Sequence, residues 1–326
     1  MAGADLAAKL SEEGVDSWLV EALERIARAD ERSLDPYLRT VGEAAVLAET
    51  QATCRCHFLH VDPQGRPRVT PLVNMLADQV VDYCIPRSRM QEAFNFSVQT
   101  GSAEKILQLQ REASELFSKI KTSGEGGELL LYALLEIALG IPQILCKMPL
   151  KTNSEMHVHG VDGVHARALP DGKLAVYWGE AKLYGAINAA IDAAMEGLAG
   201  FLLDTGDGHA RRDILLLRDH VDTGDAALNE ALVRYFTDDA VEATQLAVRG
   251  ACLVGFSLDD YSDPHHEDGT TIREEVASAI EKWQTRVGTA IANEKIASFE
   301  LEVFLVPLPD VQKFRDELNK RLGLSA

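Results

Sequence analysis

The feature that most constrains the fold lies near the middle of the sequence, where two strand-like runs are followed at once by a helix of small residues. The runs "VDGVHARA" and "KLAVYWGEAKL" are rich in residues that favour strands, and "LPDG" between them has the proline and glycine of a tight turn. Together they predict a β-hairpin. Alanine recurs through residues 186–203, which predicts a helix that packs closely on the sheet containing that hairpin.

Strand and helix patterns also alternate along the rest of the second half. Helical spacing recurs near 224–237, at 270–294 and after Pro309, and the runs "ACLVGFSL" and "FELEVFLVPL" are typical of strands. Alternation of this kind predicts the α/β class. The nearly all-apolar run "ELLLYALLEIAL" predicts a helix inside the fold, because a helix that is apolar on every side is buried.

The first part of the chain is more mixed. Its opening 50 residues look helical, with Leu19, Leu23 and Ile26 on one face of an amphipathic helix. Residues 53–85 are rich in β-forming side chains and are broken by "DPQGRP", which predicts a hairpin followed by another short strand. Helical spacing returns at 90–121, and "SGEGG" then breaks it. We therefore expect two parts: an N-terminal helical and β-containing region, residues 1–122, and a core, residues 123–326.

The net charge of −19 argues against a free-standing nucleic-acid-binding protein, because contacts to phosphate are made by Lys and Arg. The acidic excess lies at the two ends, however, since residues 51–218 carry 17 basic and 19 acidic side chains. The middle of the chain can therefore still approach a polyanion. The acidic ends themselves are most simply explained as solvated helical faces.

The composition also indicates the compartment. No run approaches the roughly 18 to 20 apolar residues of a membrane span, and "MAGADLAAKLSEEG" lacks the basic-then-apolar order of a signal peptide. Five scattered cysteines suit a reducing environment better than a disulfide framework. We therefore expect a cytoplasmic protein that does not act on a membrane.

A candidate site emerges where the predicted hairpin carries charge. Glu180 and Lys182 are two residues apart on a strand and so share a face, and the hairpin brings Asp162 back to the same end. Two carboxylates suit a hard divalent cation such as Mg²⁺ or Mn²⁺, and the backbone carbonyl of Ala181 could add a ligand. Lys182 could orient or help deprotonate a water and stabilise developing negative charge. The alternative is an ordinary surface ion pair between Glu180 and Lys182.

The same residues resemble a known group of enzymes. Asp162 followed by "GEAK" at 179–182 resembles the PD-(D/E)xK nuclease superfamily, whose order is helix, strands carrying D and then E-x-K, helix, strand. More narrowly, "HGVDGVH" with "WGEAKLYG", preceded by "GELLLYALLE", is similar to the HamA family, the nuclease subunit of Hachiman antiphage defence. The motif-bearing similarity covers about residues 125–205. Val161 stands where the proline of the superfamily motif would be.

This resemblance implies a restriction-endonuclease-like core, a mixed sheet flanked by helices, with the N-terminal region as an α+β extension. It implies Mg²⁺- or Mn²⁺-dependent cleavage of DNA in antiphage defence, in a complex with a HamB-like helicase. Asp162 and Glu180 would be metal ligands and Lys182 the lysine of the motif. Glu128 is the candidate for the acidic residue that many members carry on the preceding helix, although the helix dipole also explains a glutamate in a first turn.

Two other functions stay open. A catalytically silent subunit that docks on or regulates a helicase would use the acidic ends and have no need of Lys182. Less favoured is a zinc or iron hydrolase that uses His157, His159 and His165 beside Asp162, because their spacing matches no zinc motif. "CRCH" at 54–57 and "HH" at 265–266 lack paired C-x-x-C spacing. No P-loop and no G-x-S-x-G motif is present.

Overall fold

A single mixed sheet with helices on both faces forms the centre of the protein. The computed structural model describes residues 15–27, 33–119, 124–151, 162–203, 209–262 and 270–324. Within these residues the sheet has seven strands in the order β1-β2-β7-β6-β5-β4-β3. The strands are β1 (Leu38–Val46), β2 (Gln51–Leu59), β3 (Gln143–Leu145), β4 (Gly163–Ala168), β5 (Leu174–Tyr184), β6 (Leu246–Ser257) and β7 (Glu300–Leu308).

The middle of the sheet is parallel and its two sides are antiparallel. Strands β2, β7, β6 and β5 pair in parallel, β1 pairs antiparallel with β2, and the hairpin β4–β5 continues antiparallel to β3. The inner strands are buried along most of their length, as parallel strands covered on both faces usually are. Ligands of open sheets of this kind bind beyond the carboxyl ends of the parallel strands.

Helices connect and cover these strands. A π-helical turn, Leu134–Ala138, directly follows the helix Glu125–Ala133, and two short 3₁₀ turns occupy Val241–Gln245 and Asp259–Ser262. The described α-helices are α1 (Val15–Ile26), α2 (Val69–Asp78), α3 (Val80–Cys84), α4 (Arg87–Thr100), α5 (Glu104–Lys119), α6 (Glu125–Ala133), α7 (Met148–Lys151), α8 (Ile187–Leu202), α9 (His209–His220), α10 (Ala226–Tyr235), α11 (Thr270–Asn293) and α12 (Val311–Arg321).

Alternation along β5 assigns the helices to faces. The Trp178 ring packs at a tilt against Phe201 of α8 with centroids 4.3 Å apart, and Trp283 of α11 packs edge-on against Phe256 of β6, so α8 and α11 cover one face. On the opposite face, Gly127 of α6 lies against Ala181, and α12 packs beside α6 and α2. Glycine 127 permits this approach, since a Cβ there would lie 3.3 Å from the Ala181 Cβ.

The structure confirms the central prediction from the sequence. The predicted hairpin is β4–β5 with Gly172 at φ +80° in its turn, and the small-residue helix is α8. The all-apolar run is a buried helix, α6 and its π-helical continuation. The later helices and strands also lie where the patterns placed them.

Two predictions for the first part of the chain are wrong. The opening 50 residues are not helical throughout, because strand β1 follows α1. The N-terminal hairpin turns at residues 47–50, before "DPQGRP", and the segment after that turn forms helices α2 and α3 instead of a strand. The helical segment predicted at 90–121 is two helices, α4 and α5, separated at Gly101, whose φ is +71°.

The sheet spans both predicted parts of the chain, because β2 pairs with β7 along six residues. The boundary between residues 122 and 123 stays a prediction. In the part of the chain that the structure describes, no helix is both long and apolar enough to span a membrane.

Candidate active site

Glu180 and Lys182 lie on one face of β5, as strand alternation predicts. Their side chains form an ion pair between Lys182 Nζ and Glu180 Oε1. The Glu180 side chain is only 8% exposed, whereas that of Lys182 is 29% exposed. The pair therefore has one end inside the protein and one end at the solvent, which is not the geometry of a fully hydrated surface ion pair.

Helix α8 closes over the carboxylate at a glycine. A Cβ built on Gly197 would lie 2.6 Å from Cδ and 2.6 Å from Oε1 of Glu180. Heavy atoms of real Cβ contacts do not come this close, so any larger residue at 197 must displace the Glu180 side chain. Because Gly197 has no side chain, the helix can pass directly over the strand without displacing the Glu180 carboxylate.

Asp162 is placed beside this pair by the hairpin. Its backbone N–H donates to the Gly179 carbonyl at 2.8 Å, which extends the β4–β5 ladder by one residue. Its side-chain Oδ2 accepts from the Ala181 N–H at 2.7 Å. Because the N–H and C=O of a strand residue point to the same side, the Ala181 carbonyl also points to the side where Asp162 lies. The structure thus brings Asp162, Glu180, Ala181 and Lys182 to one end of the hairpin.

Glu128 reaches the same region through a residue that the sequence did not reveal. The buried Tyr83 hydroxyl of α3 donates to Glu128 Oε2 at 2.7 Å, and it lies 3.2 Å from the Asp162 backbone carbonyl. Tyr83 therefore joins the first turn of α6 to the start of β4. Its ring also packs against Tyr132, with centroids 5.4 Å apart.

The pKa shifts of Glu180 and Lys182 show which neighbouring groups act on each of them. Burial raises the pKa of Glu180; the hydrogen bond and charge of Lys182 offset part of this, and the charge of Glu128 adds to it. For Lys182, burial lowers the pKa, but the hydrogen bond and charge of Glu180 and the charge of Asp162 outweigh it and raise the pKa overall. The buried Lys147 contributes a second positive charge, which lowers the pKa of Glu180.

The donor set fits a hard cation. Across the described ranges, no three His, Cys, Asp or Glu side chains gather closely enough to hold a metal ion by themselves. Mg²⁺ does not need three, since it usually takes one or two protein carboxylates and completes its shell with water and substrate phosphate. The carboxylates of Asp162 and Glu180 with the carbonyl of Ala181 are oxygen donors of that type. They are the residues that would hold Mg²⁺ or Mn²⁺.

The structure gives little support for a zinc or iron site made of histidines. His165 is buried, and its Nδ1 lies 2.8 Å from the Ile141 carbonyl. Burial lowers the pKa of His165 to about 4. His157 and His159 lie outside the described residues, as do His265 and His266. Of the "CRCH" run, Cys54 and Cys56 are buried free thiols, and burial raises the pKa of Cys54 to about 12.

The two aromatic residues that flank the motif have different surroundings. Trp178 is buried against α8, which confirms a packing role. Tyr184, at the carboxyl end of β5, is 42% exposed. It shares the strand face of Glu180 and Lys182 by alternation.

Fold and site together define an α/β protein whose mixed sheet carries an Asp and an E-x-K pair at one end of a hairpin. Comparison with protein families gives a match to the HamA model over residues 35–322, and the chain belongs to the HamA family. That family is linked to Hachiman, so the protein is associated with antiphage defence. A comparison with curated proteins gave no match.

Proposed function

We propose that this protein is a metal-dependent DNA nuclease, the effector of an antiphage defence system that acts with a HamB-like helicase. The observation that carries the proposal is the buried Glu180 carboxylate, ion-paired to Lys182 and placed beside Asp162 at the end of β5. Family membership supports the defence role. The order α6, β4, β5, α8, β6 agrees with a PD-(D/E)xK core, which we propose as the finer class of the fold.

Each residue has a role that its surroundings allow. Asp162, Glu180 and the Ala181 carbonyl would hold Mg²⁺ or Mn²⁺, which supplies Lewis-acid stabilisation of charge on the scissile phosphate. Glu180 also fixes the Lys182 ammonium at the solvent boundary. Lys182 then donates hydrogen bonds to the phosphate and to the attacking water, and its positive charge stabilises the transition state.

Glu128 and Tyr83 complete the surroundings. The Tyr83 hydrogen bond fixes one oxygen of Glu128 and contacts the Asp162 backbone, so it holds the first turn of α6 against the start of β4. Glu128 adds negative charge near Glu180 and so strengthens the attraction of the site for a cation. Water is the nucleophile of this hydrolysis, and no covalent intermediate with the protein is required.

A docking or regulatory subunit without catalytic activity is the competing function, and the net charge of −19 favours it. Under the nuclease proposal the helicase supplies most of the grip on DNA. The two functions differ over Lys182, because docking has no use for a lysine beside two carboxylates.

The test incubates the purified protein with supercoiled and linear DNA in Mg²⁺ or Mn²⁺, with and without the helicase and ATP. Glu180→Ala and Lys182→Ala are assayed in parallel, together with wild type in EDTA. Metal-dependent cleavage that both variants lose supports the nuclease. If DNA stays intact in every mixture while the helicase binds wild type and variants equally, the docking subunit is the better description.

A further inference from the structure

The carboxyl end of β5 continues past Lys182 into a short exposed segment, residues 184–186. Tyr184 is 42% exposed, and Gly185 and Ala186 after it are also exposed. A Cβ built on Gly185 would meet no atom within 4 Å. The strand therefore ends in open space next to the candidate active site.

Arg315 of α12 reaches this same end of the strand. Its guanidinium donates to the Leu183 carbonyl, the next ladder position after Ala181 on the same side of β5. Two strand residues span about 6.6 Å, so the guanidinium lies one short step beyond the candidate metal ligands. Burial lowers the pKa of Arg315, which shows that its charge is partly desolvated.

Arg315 differs from most of the half-buried arginines that the structure describes. Arg55, Arg87 and Arg249 each have a carboxylate within 4.0 Å. Arg315 has no such ion pair among the described residues, and its buried Nε has no hydrogen-bond partner there. A partly desolvated cation without a carboxylate is a suitable partner for a phosphate, to which arginine binds through its planar fork of N–H groups.

The aromatic residue beside it suits a base. Tyr184 is on the same face as Lys182 and is 42% exposed at the end of the strand. A tyrosine ring can stack only on a base whose face is uncovered, because bases in a duplex stack on one another. An exposed tyrosine next to phosphate-binding cations is the combination by which proteins bind single strands.

We infer that the end of β5 is a binding site for single-stranded DNA, in which Tyr184 stacks on a base and Arg315 binds a backbone phosphate next to the scissile one. This inference rests on the proposed nuclease function and specifies its substrate class. It places the substrate along the open side of β5, from Asp162 past Lys182 to Arg315. Unpaired DNA of this kind is what a helicase partner produces.

The test measures binding separately from cleavage. Fluorescence anisotropy follows a labelled oligonucleotide, single-stranded or as a duplex, titrated with the full chain in Ca²⁺ in place of Mg²⁺. We expect the single strand to bind more tightly than the duplex. Tyr184→Ala should weaken single-strand binding about tenfold, and Tyr184→Phe, which keeps the ring, should retain it.

Arg315→Gln should also weaken single-strand binding several-fold and lower the slope of log affinity against log salt by about one. Arg167→Gln is the matched control. Arg167 is half-buried and bonds to the Leu139 carbonyl, but it pairs with Ala175 at the opposite end of β5, roughly 26 Å from Leu183. It should leave both affinity and salt slope unchanged.

Several outcomes overturn the inference. These are equal binding of single strand and duplex, no binding of either, wild-type affinity in Tyr184→Ala, or equal losses in Arg315→Gln and Arg167→Gln that follow their melting temperatures. The proposed function fails differently. In that case the wild type and Lys182→Ala both bind single-stranded DNA, and neither cleaves it when Mg²⁺ replaces Ca²⁺.

Discussion

Two groups of ion pairs in the same sheet are built in opposite ways. One group, which we term the sheet-face row, joins different strands: Arg55 of β2 to Glu302 of β7, and Arg249 of β6 to Glu300 of β7. The guanidinium of Arg249 also donates to the Tyr177 hydroxyl of β5 at 2.9 Å. The other group, the strand-end pair, is Glu180 and Lys182, which both belong to β5.

The difference lies in what each pair can stabilise. A pair that joins neighbouring strands contributes to sheet pairing, and such cross-strand pairs are worth roughly 0.2–1 kcal/mol. A pair within one strand joins no two elements, and the hydrogen bond and charge of Lys182 offset only part of the burial that raises the pKa of Glu180. Charges that are buried without structural benefit are typical of functional sites. We therefore expect the sheet-face row to contribute to stability and the strand-end pair to contribute to the proposed chemistry.

The largest expected effect is the difference in DNA cleavage between two substitutions, at Glu180 and at Glu302, that each remove one carboxylate charge. Glu180→Gln should reduce DNA cleavage about a thousandfold, the size seen when a key electrostatic contact of a transition state is lost. Its free energy of unfolding should not fall, because a buried carboxylate is removed. Glu302→Gln should cleave like wild type and lose about 1 kcal/mol of stability. Cleavage assays and urea denaturation check both; a stability loss without an activity loss in Glu180→Gln would refute the assignment.

The next largest effect is the difference in DNA cleavage between alanine substitutions at two glycines of α8. Gly197→Ala should displace the Glu180 carboxylate and reduce cleavage about a hundredfold, since misplacement by about 1 Å has that effect. Gly200→Ala, with nothing within 4 Å of its built Cβ, should cleave like wild type and gain up to about 1 kcal/mol from helix propensity. Activity and melting temperature of the two variants give the answer. Equal activity would mean that the close approach of α8 has no role in positioning Glu180.

A smaller effect concerns pH and a histidine beside the sheet-face row. Burial and the charge of Arg55 lower the pKa of His57 to about 4, against the opposing charge of Asp35. Because the unfolded chain binds the proton at pH 6.5 and the folded chain only near pH 4, stability is full above 6.5 and falls as pH drops through this window. At pH 5 the loss from His57 should be about 2 kcal/mol.

Urea denaturation at pH 7 and pH 5 measures this loss. The pKa of His165 is lowered in the same direction, so wild type should lose stability through both residues. His57→Phe keeps an aromatic ring near Phe304 and cannot titrate, so it should lose less stability than wild type. An identical loss in both proteins would show that His57 is not the group that titrates.

The smallest expected effect is within the row itself. A double-mutant cycle of Arg249→Ala and Glu300→Ala should give a coupling energy of about 0.5 kcal/mol that decreases in high salt, because the Glu300 side chain is 52% exposed. DNA cleavage should be the same in the wild type, the two single variants and the double variant. A change in cleavage would mean that the row also contributes to the site.

The sequence predicted the hairpin and its charged residues because the information is local. Asp162 and Glu180 are brought together by one turn whose proline and glycine are recognisable, and alternation then places Lys182. The alanine-rich pattern likewise predicted α8, but nothing in it distinguishes Gly197 from Gly200, the other glycine of that helix. Their difference depends on which strand residue lies underneath.

Tyr83 was missed for a different reason. Valine, tyrosine and cysteine in "QVVDYC" favour strands, and this preference concealed the helical spacing of Leu72, Leu76, Val80 and Tyr83, all of which are buried. That spacing was a usable signal for α2 and α3. The hydrogen bond of Tyr83 to Glu128, 45 residues further on, was not, because no local pattern specifies a contact at such separation.

The pairing of β2 with β7 has a consequence for the timing of synthesis. Some 240 residues separate these neighbours in the sheet, and β7 lies between β2 and β6. A ribosome adds about 5–20 residues per second, so β2 waits roughly 12–50 seconds for its partner. Arg315 and the rest of α12 emerge later still. A nascent chain therefore cannot assemble the whole sheet early, and any activity that needs the folded sheet can arise only after nearly all of these residues have been translated.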